Sequence, residues 1–207
     1  MVKLYAMKEI RTKNAVRIIR KQGGIIRSSA AIAAGISQRT LRALLKNGTL
    51  DRFSRGIYRL TELPPLANPD LAVIGSRVPH GVICLISALA FHEITTQIPH
   101  EVNIALETGM EPPRISGLPI SVHHFSRQAF QSGIEEHISD GITIRVYSPE
   151  KTLADCFKFR NKLGMDIVLE ALKLYKERKH FDADDLVKYG RICRVEKVMT
   201  PYLEAIQ

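Results

Sequence analysis

The chain has 207 residues, 45% hydrophobic and 25% charged, with a formal net charge of +9; that is enough apolar material for two small globular domains. Aromatics are scarce at 6% and tryptophan is absent, which argues against a stacking platform for single-stranded nucleic acid. Cys84, Cys156 and Cys193 have no paired spacing, the N-terminus lacks an apolar signal core, and the longest apolar run, Val82 to Phe91, is about half a membrane span, so the expectation is a cytoplasmic protein without a disulfide framework, zinc site or cofactor.

The charge is localised. Residues 1–62 hold 14 Lys/Arg against three acids, Glu9, Asp51 and Glu62, whereas the remainder holds 16 against 18. An excess confined to one third of the chain is the footprint of a polyanion partner, nucleic acid or an anionic membrane surface.

In chain order, Met7 to Lys21 has the spacing of an amphipathic helix with Ile10, Val16 and Ile19 facing inward, stopped by Gly23-Gly24. Ser28-Ser29 offers an N-cap for a short alanine-rich helix, Ala30 to Ala34, which ends at Gly35. Ser37 caps a further helix that runs to Lys46, and Thr49 to Leu60 reads as two short strands about a turn at Ser54-Arg55-Gly56. The stretch ELPPLANPD, residues 62–70, then stiffens the backbone where the basic excess ends. A domain boundary is expected there, separating residues 1–62 from 63–207.

Past that boundary, Asp70 to Val78 and Ser87 to Glu93 read as helices, and Glu101 to Glu107 and Ile120 to Phe125 as strands. Ile142 to Tyr147 alternates strictly and is the clearest strand. From Ser148 the chain is helical: PEKTLADCFKFR, then MDIVLEALKLYKERK, then two helices across 182–206. The overall expectation is an α+β protein: a helical and hairpin domain, then a mixed α/β domain with a helical C-terminal tail.

The stretch GISQRTLRALLKNG, residues 35–48, carries a mechanism. Ala31 lies four residues before Gly35, and Ile36, Leu41 and Leu44 fall where the second helix would fold back on Ala30 and Ala34, the spacing of a helix-turn-helix. The opposite face offers Gln38, Arg39, Arg42 and Lys46, side chains that read base edges or bind phosphates. No acid lies between Glu9 and Asp51 to neutralise them. A helix before the pair and a hairpin with Arg52, Arg55 and Arg59 after it describe a winged helix-turn-helix domain. Arg27, Ser37 and Thr40 complete the candidate DNA contacts, while Lys3, Lys8, Arg11 and Lys13 are candidates for flanking backbone. Membrane binding ranks below DNA, because the apolar face needed for lipid insertion is committed to the core.

Catalytic signals are weak after residue 63. His123 and His124, adjacent in a strand, point to opposite faces and cannot share a metal. Asp182, Asp184 and Asp185 open a helix, where acids meet the positive end of its dipole. Ser148 to Asp155, SPEKTLAD, is a well-built helix start with Lys151 and Asp155 at i, i+4.

Several longer segments carry a resemblance. GGIIRSSAAIAAGISQRTLRALLKNGTLDRFSRGIYRL, VICLISALAFHEITTQIPHEVNIAL and VYSPEKTLADCFKFRNKLGMDIVLEALKLY together resemble the AbiEi-type antitoxins and related regulators of bacterial abortive-infection toxin-antitoxin systems. That resemblance implies a non-enzymatic protein whose N-terminal domain binds inverted repeats of double-stranded DNA in its own promoter and represses its operon. It further implies that residues 63–207 form an antitoxin domain counteracting a nucleotidyltransferase-like toxin, in the type IV manner that does not require a stable complex. Two other readings stand beside it. One is a ligand-responsive winged-helix regulator without a toxin; the other is a nuclease or nucleotidyltransferase using Asp140, Glu150 and Asp155 as metal ligands.

Overall fold

The computed structural model describes residues 2–139 and 141–206, with the side chains of residues 2–8 and 206 outside that description. The chain divides into two compact units, Met1–Ser76 with Ile138–Thr143, and Arg77–His137 with Ile144–Gln207. Among the described residues there are eleven helices and two sheets, a mixed α+β architecture.

In the first unit, α1 (Val2–Lys21) ends at Gln22 and the two glycines, and β1 (Ile25–Arg27) follows. α2 (Ser28–Ala33) and α3 (Gln38–Lys46) are joined by a turn in which Gly35 adopts φ +81°, a left-handed conformation that side chains disfavour. β2 (Leu50–Ser54) and β3 (Ile57–Leu60) form an antiparallel hairpin, and β1 pairs with the other edge of β3 to give the order β1-β3-β2. Ala15, Ile19, Ile26, Ala31, Ile36, Leu41, Leu44, Leu50, Tyr58 and Leu60 make one core. α4 (Pro69–Arg77) follows the proline stretch.

Three details of this unit differ from the sequence reading. Ile10 is 58% exposed, whereas Ala15 and Ile19 are buried. At about 100° per residue Ile10 lies roughly 180° around the helix from Ile19, so the two cannot face one core. Strand β1 forms where the sequence reading placed no element, between the first helix and Ser28. Finally, Ser28 is the first residue of α2 and makes no cap; its hydroxyl donates to Gly56 O at 3.1 Å.

In the second unit the apolar run from Val82 splits into β4 (Val82–Ile83) and α5 (Leu85–Phe91), with buried Leu85 at φ +47° where the chain turns. β5 (Val102–Glu107) pairs antiparallel with β4 and parallel with β6 (Ile120–Phe125). α6 (Arg127–Gln131) and β7 (Ile134–Ser139) precede β8 (Ile142–Tyr147), which runs parallel to β4; the last two residues of β7 and the first two of β8 count with the first unit. The sheet order is β6-β5-β4-β8-β7. The helices α7 (Pro149–Lys158), α8 (Arg160–Leu163), α9 (Met165–Lys176), α10 (Ala183–Cys193) and α11 (Glu196–Ile206) complete the chain. The buried faces of α7, α9, α10 and α11 join Phe125, Phe130 and Tyr147 in a second core, against which Leu163 of α8 packs partly buried. No helix among the described residues is long and apolar enough to cross a membrane.

Candidate nucleic-acid interface

α3 is amphipathic for a reason visible in its sequence. Leu41 and Leu44, each 1% exposed, fix one side into the core. Arg39, Arg42 and Lys46 then fall within roughly 60° of one another on the opposite side, and all three are exposed, as is Gln38. None of the three cations makes a hydrogen bond or ion pair among the described residues. Four exposed donor groups on one helix face can engage an anionic partner without first breaking an internal contact.

The start of α3 is pinned locally. Ser37 Oγ accepts from Thr40 N–H at 3.1 Å and lies 2.9 Å from Thr40 Oγ1, so both hydroxyls are engaged with each other and the helix cap. A cavity of about 390 Å³ opens beside this turn, lined by Arg11, Asn14, Ala15, Ile18, Gly35, Ile36, Ser37 and Thr40. Arg11 was singled out by charge. Asn14 carried no sequence signal, because an uncharged residue in a long helix gives none.

The hairpin places Arg52 and Arg55 in exposed positions, Arg55 within the turn between β2 and β3. Arg27 is half-buried at the end of β1, opposite Ile57. Arg59 has a different setting: it is half-buried, its Nη2 donates to the Pro64 carbonyl, and its Nε is buried with no partner among the described atoms. Two other cations of this unit are occupied as well. Arg20 donates to Glu62 Oε1 through Nε (3.1 Å) and Nη2 (2.8 Å), and Lys13 pairs with Glu9 at 2.8 Å. The side chains of Lys3 and Lys8 lie outside those described.

The second unit holds its polar residues differently. Ser148 caps α7 by accepting from Lys151 N–H at 3.3 Å. Lys151 and Asp155 are both fully buried and their Nζ and Oδ2 meet at 2.5 Å. The ammonium stands 4.0 Å from the Tyr147 ring centroid and 5.0 Å from that of Phe125, and the Cys193 thiol donates to Asp155 Oδ1 at 3.2 Å. Burial pushes the Asp155 carboxyl up, opposed by the charge of Lys151. Glu150 accepts from the Tyr175 hydroxyl. Of the three carboxylates considered as metal ligands, Asp155 and Glu150 are thus engaged internally, and Asp140 lies outside the described residues. No group of three His, Cys, Asp or Glu side chains suited to a metal occurs among the described residues. His124 is exposed with Nε2 3.0 Å from Met110 O, whereas His123 packs edge-on against Phe159 and burial pushes its pKa down.

No curated protein matches the sequence. Among solved structures, the RV2827C protein from Mycobacterium tuberculosis resembles the chain with a TM-score of 0.52 at 12% identity, over 96% of this chain and 82% of that one, a likeness of fold alone. Residues 15–61, which include all ten candidate contacts from Arg27 to Arg59, match the model of a family described as transcriptional regulator, AbiEi antitoxin.

Proposed function

We propose that the chain is a sequence-specific, double-stranded-DNA-binding regulator. In this reading α1 to α3 with the β2–β3 hairpin act as a winged helix-turn-helix. α3 enters the major groove with Gln38, Arg39 and Arg42 toward base edges, while Lys46, Arg52 and Arg55 hold phosphates and Arg27 and the Ser37–Thr40 start of α3 border the backbone. The single observation that carries it is the exposed, unpaired cationic face of α3, set in a region that matches a family of transcriptional regulators. Arg59 differs from the α3 cations in that its Nη2 already donates to Pro64 O, so in this reading it braces the hairpin.

The resemblance adds a second activity: neutralisation of a nucleotidyltransferase-like toxin, with the DNA-binding part repressing its own promoter through inverted repeats. Titration of the full chain against duplex DNA across a salt series tests the first activity. Log affinity falls by about 0.9 per decade of salt for each phosphate neutralised. Growth of cells co-expressing the chain with the product of an adjacent toxin gene tests the second, and no rescue by the full chain refutes it.

A further inference from the structure

The hairpin tip is tied to the first residue of α2. The pairing of β1 with β3 ends at Arg27 opposite Ile57. One step further, Ser28 donates twice to the Gly56 carbonyl, from its backbone N–H at 2.8 Å and from Oγ at 3.1 Å. Both lone pairs of that carbonyl are engaged by one residue. Gly56 sits at φ +77°, and a Cβ there would stand 3.4 Å from Ser28 Oγ. The ladder between β2 and β3 slips by one residue between Arg52 and Ser54, so the hairpin is irregular on the side facing away from this tie. A two-stranded hairpin is marginal alone. Here its tip is fixed to the helix pair that contains α3.

The hydroxyl is spent on this tie and not on the helix. α2 has no side-chain cap, although a serine lies at its start. We infer that Ser28 is a positioning residue for DNA binding: it holds the Arg55–Gly56 tip at a fixed offset from α3, so that hairpin and helix meet the duplex together. This inference rests on the reading of the first unit as a DNA-binding domain. Without the tie the tip swings away from the duplex, and the Arg55 phosphate contact drops out of the complex.

The test uses the full-length protein, a duplex from immediately upstream of its own gene, and a scrambled duplex of equal length. Ser28→Ala is expected to weaken binding to the upstream duplex by roughly fivefold, the scale of one hydrogen bond. Its plot of log affinity against log salt becomes shallower by about 0.9, one phosphate contact fewer. In an Arg55→Ala background, Ser28→Ala changes neither quantity further, because the residue it positions is gone. Ser28→Thr, which keeps the hydroxyl, restores both. Thermal unfolding of each variant confirms that it is folded at the assay temperature. Independent, multiplicative losses from Ser28→Ala and Arg55→Ala, or an unchanged salt slope in Ser28→Ala, overturn the inference while leaving the DNA reading intact. A wild-type protein that binds neither duplex overturns both.

Discussion

Lys151 and Asp155 illustrate how a buried charge is kept. Both are 0% exposed, and burying a charge without a partner is costly. Together with the Tyr147 ring face and the Cys193 thiol they satisfy one another. Removing one partner leaves the other buried and unpaired. Lys151→Ala is therefore expected to destabilise the protein by about 3–5 kcal/mol, whereas Lys151→Met combined with Asp155→Leu should be close to neutral; thermal unfolding distinguishes the two. His92 gives a pH-dependent counterpart. Its Nε2 lies 2.7 Å from the Tyr147 carbonyl, so that nitrogen carries the proton and donates, and burial pushes the pKa down. The unfolded chain then binds a proton below about pH 6.5 that the folded chain takes up only at lower pH. The stability from His92 is present above that pH and is lost as pH falls toward the depressed folded value. His92→Gln, which keeps an N–H donor but does not titrate, should flatten this part of the pH profile.

Among the elements, α3 depends on its first turn. It has no acid there, so the Ser37 cap is the contribution that satisfies its leading amides. Ser37→Ala should lower stability by about 1 kcal/mol, read by thermal or denaturant unfolding. This cap was legible in the sequence, as were the Leu41/Leu44 face, the hairpin at Ser54-Arg55-Gly56 and the helices after Ser148, because each rests on a local period or a local turn residue. What escaped was set by distant partners. β1 is three residues and β4 two, too short for any period, and each is defined only by pairing with β3 or with β5 and β8. β7, IEEHIS, has no fully buried position to reveal its inner face. Ser28 looked like a cap because serine before a helix usually is one; its actual partner lies 28 residues away. The commitments of Arg20 to Glu62 and of Arg59 to Pro64 are of the same kind. Charge counting alone could not separate them from Arg39 and Arg42.

For the molecule as a whole, the likeness of fold to the RV2827C protein spans nearly the entire chain, whereas the family match is confined to residues 15–61. The compact units do not follow the proline stretch, since the first runs to Ser76 and takes in Ile138–Thr143. A cut after residue 62 therefore removes part of that unit, and tests of DNA binding belong on the full chain. The most direct test of α3 as a recognition helix compares wild type with Arg39→Ala/Arg42→Ala on the upstream and scrambled duplexes at one fixed salt concentration. Each lost base contact is worth about 1–3 kcal/mol of discrimination. The account predicts that wild type prefers the upstream duplex and that the folded double variant binds both duplexes equally and weakly. A double variant that keeps the full preference would contradict it.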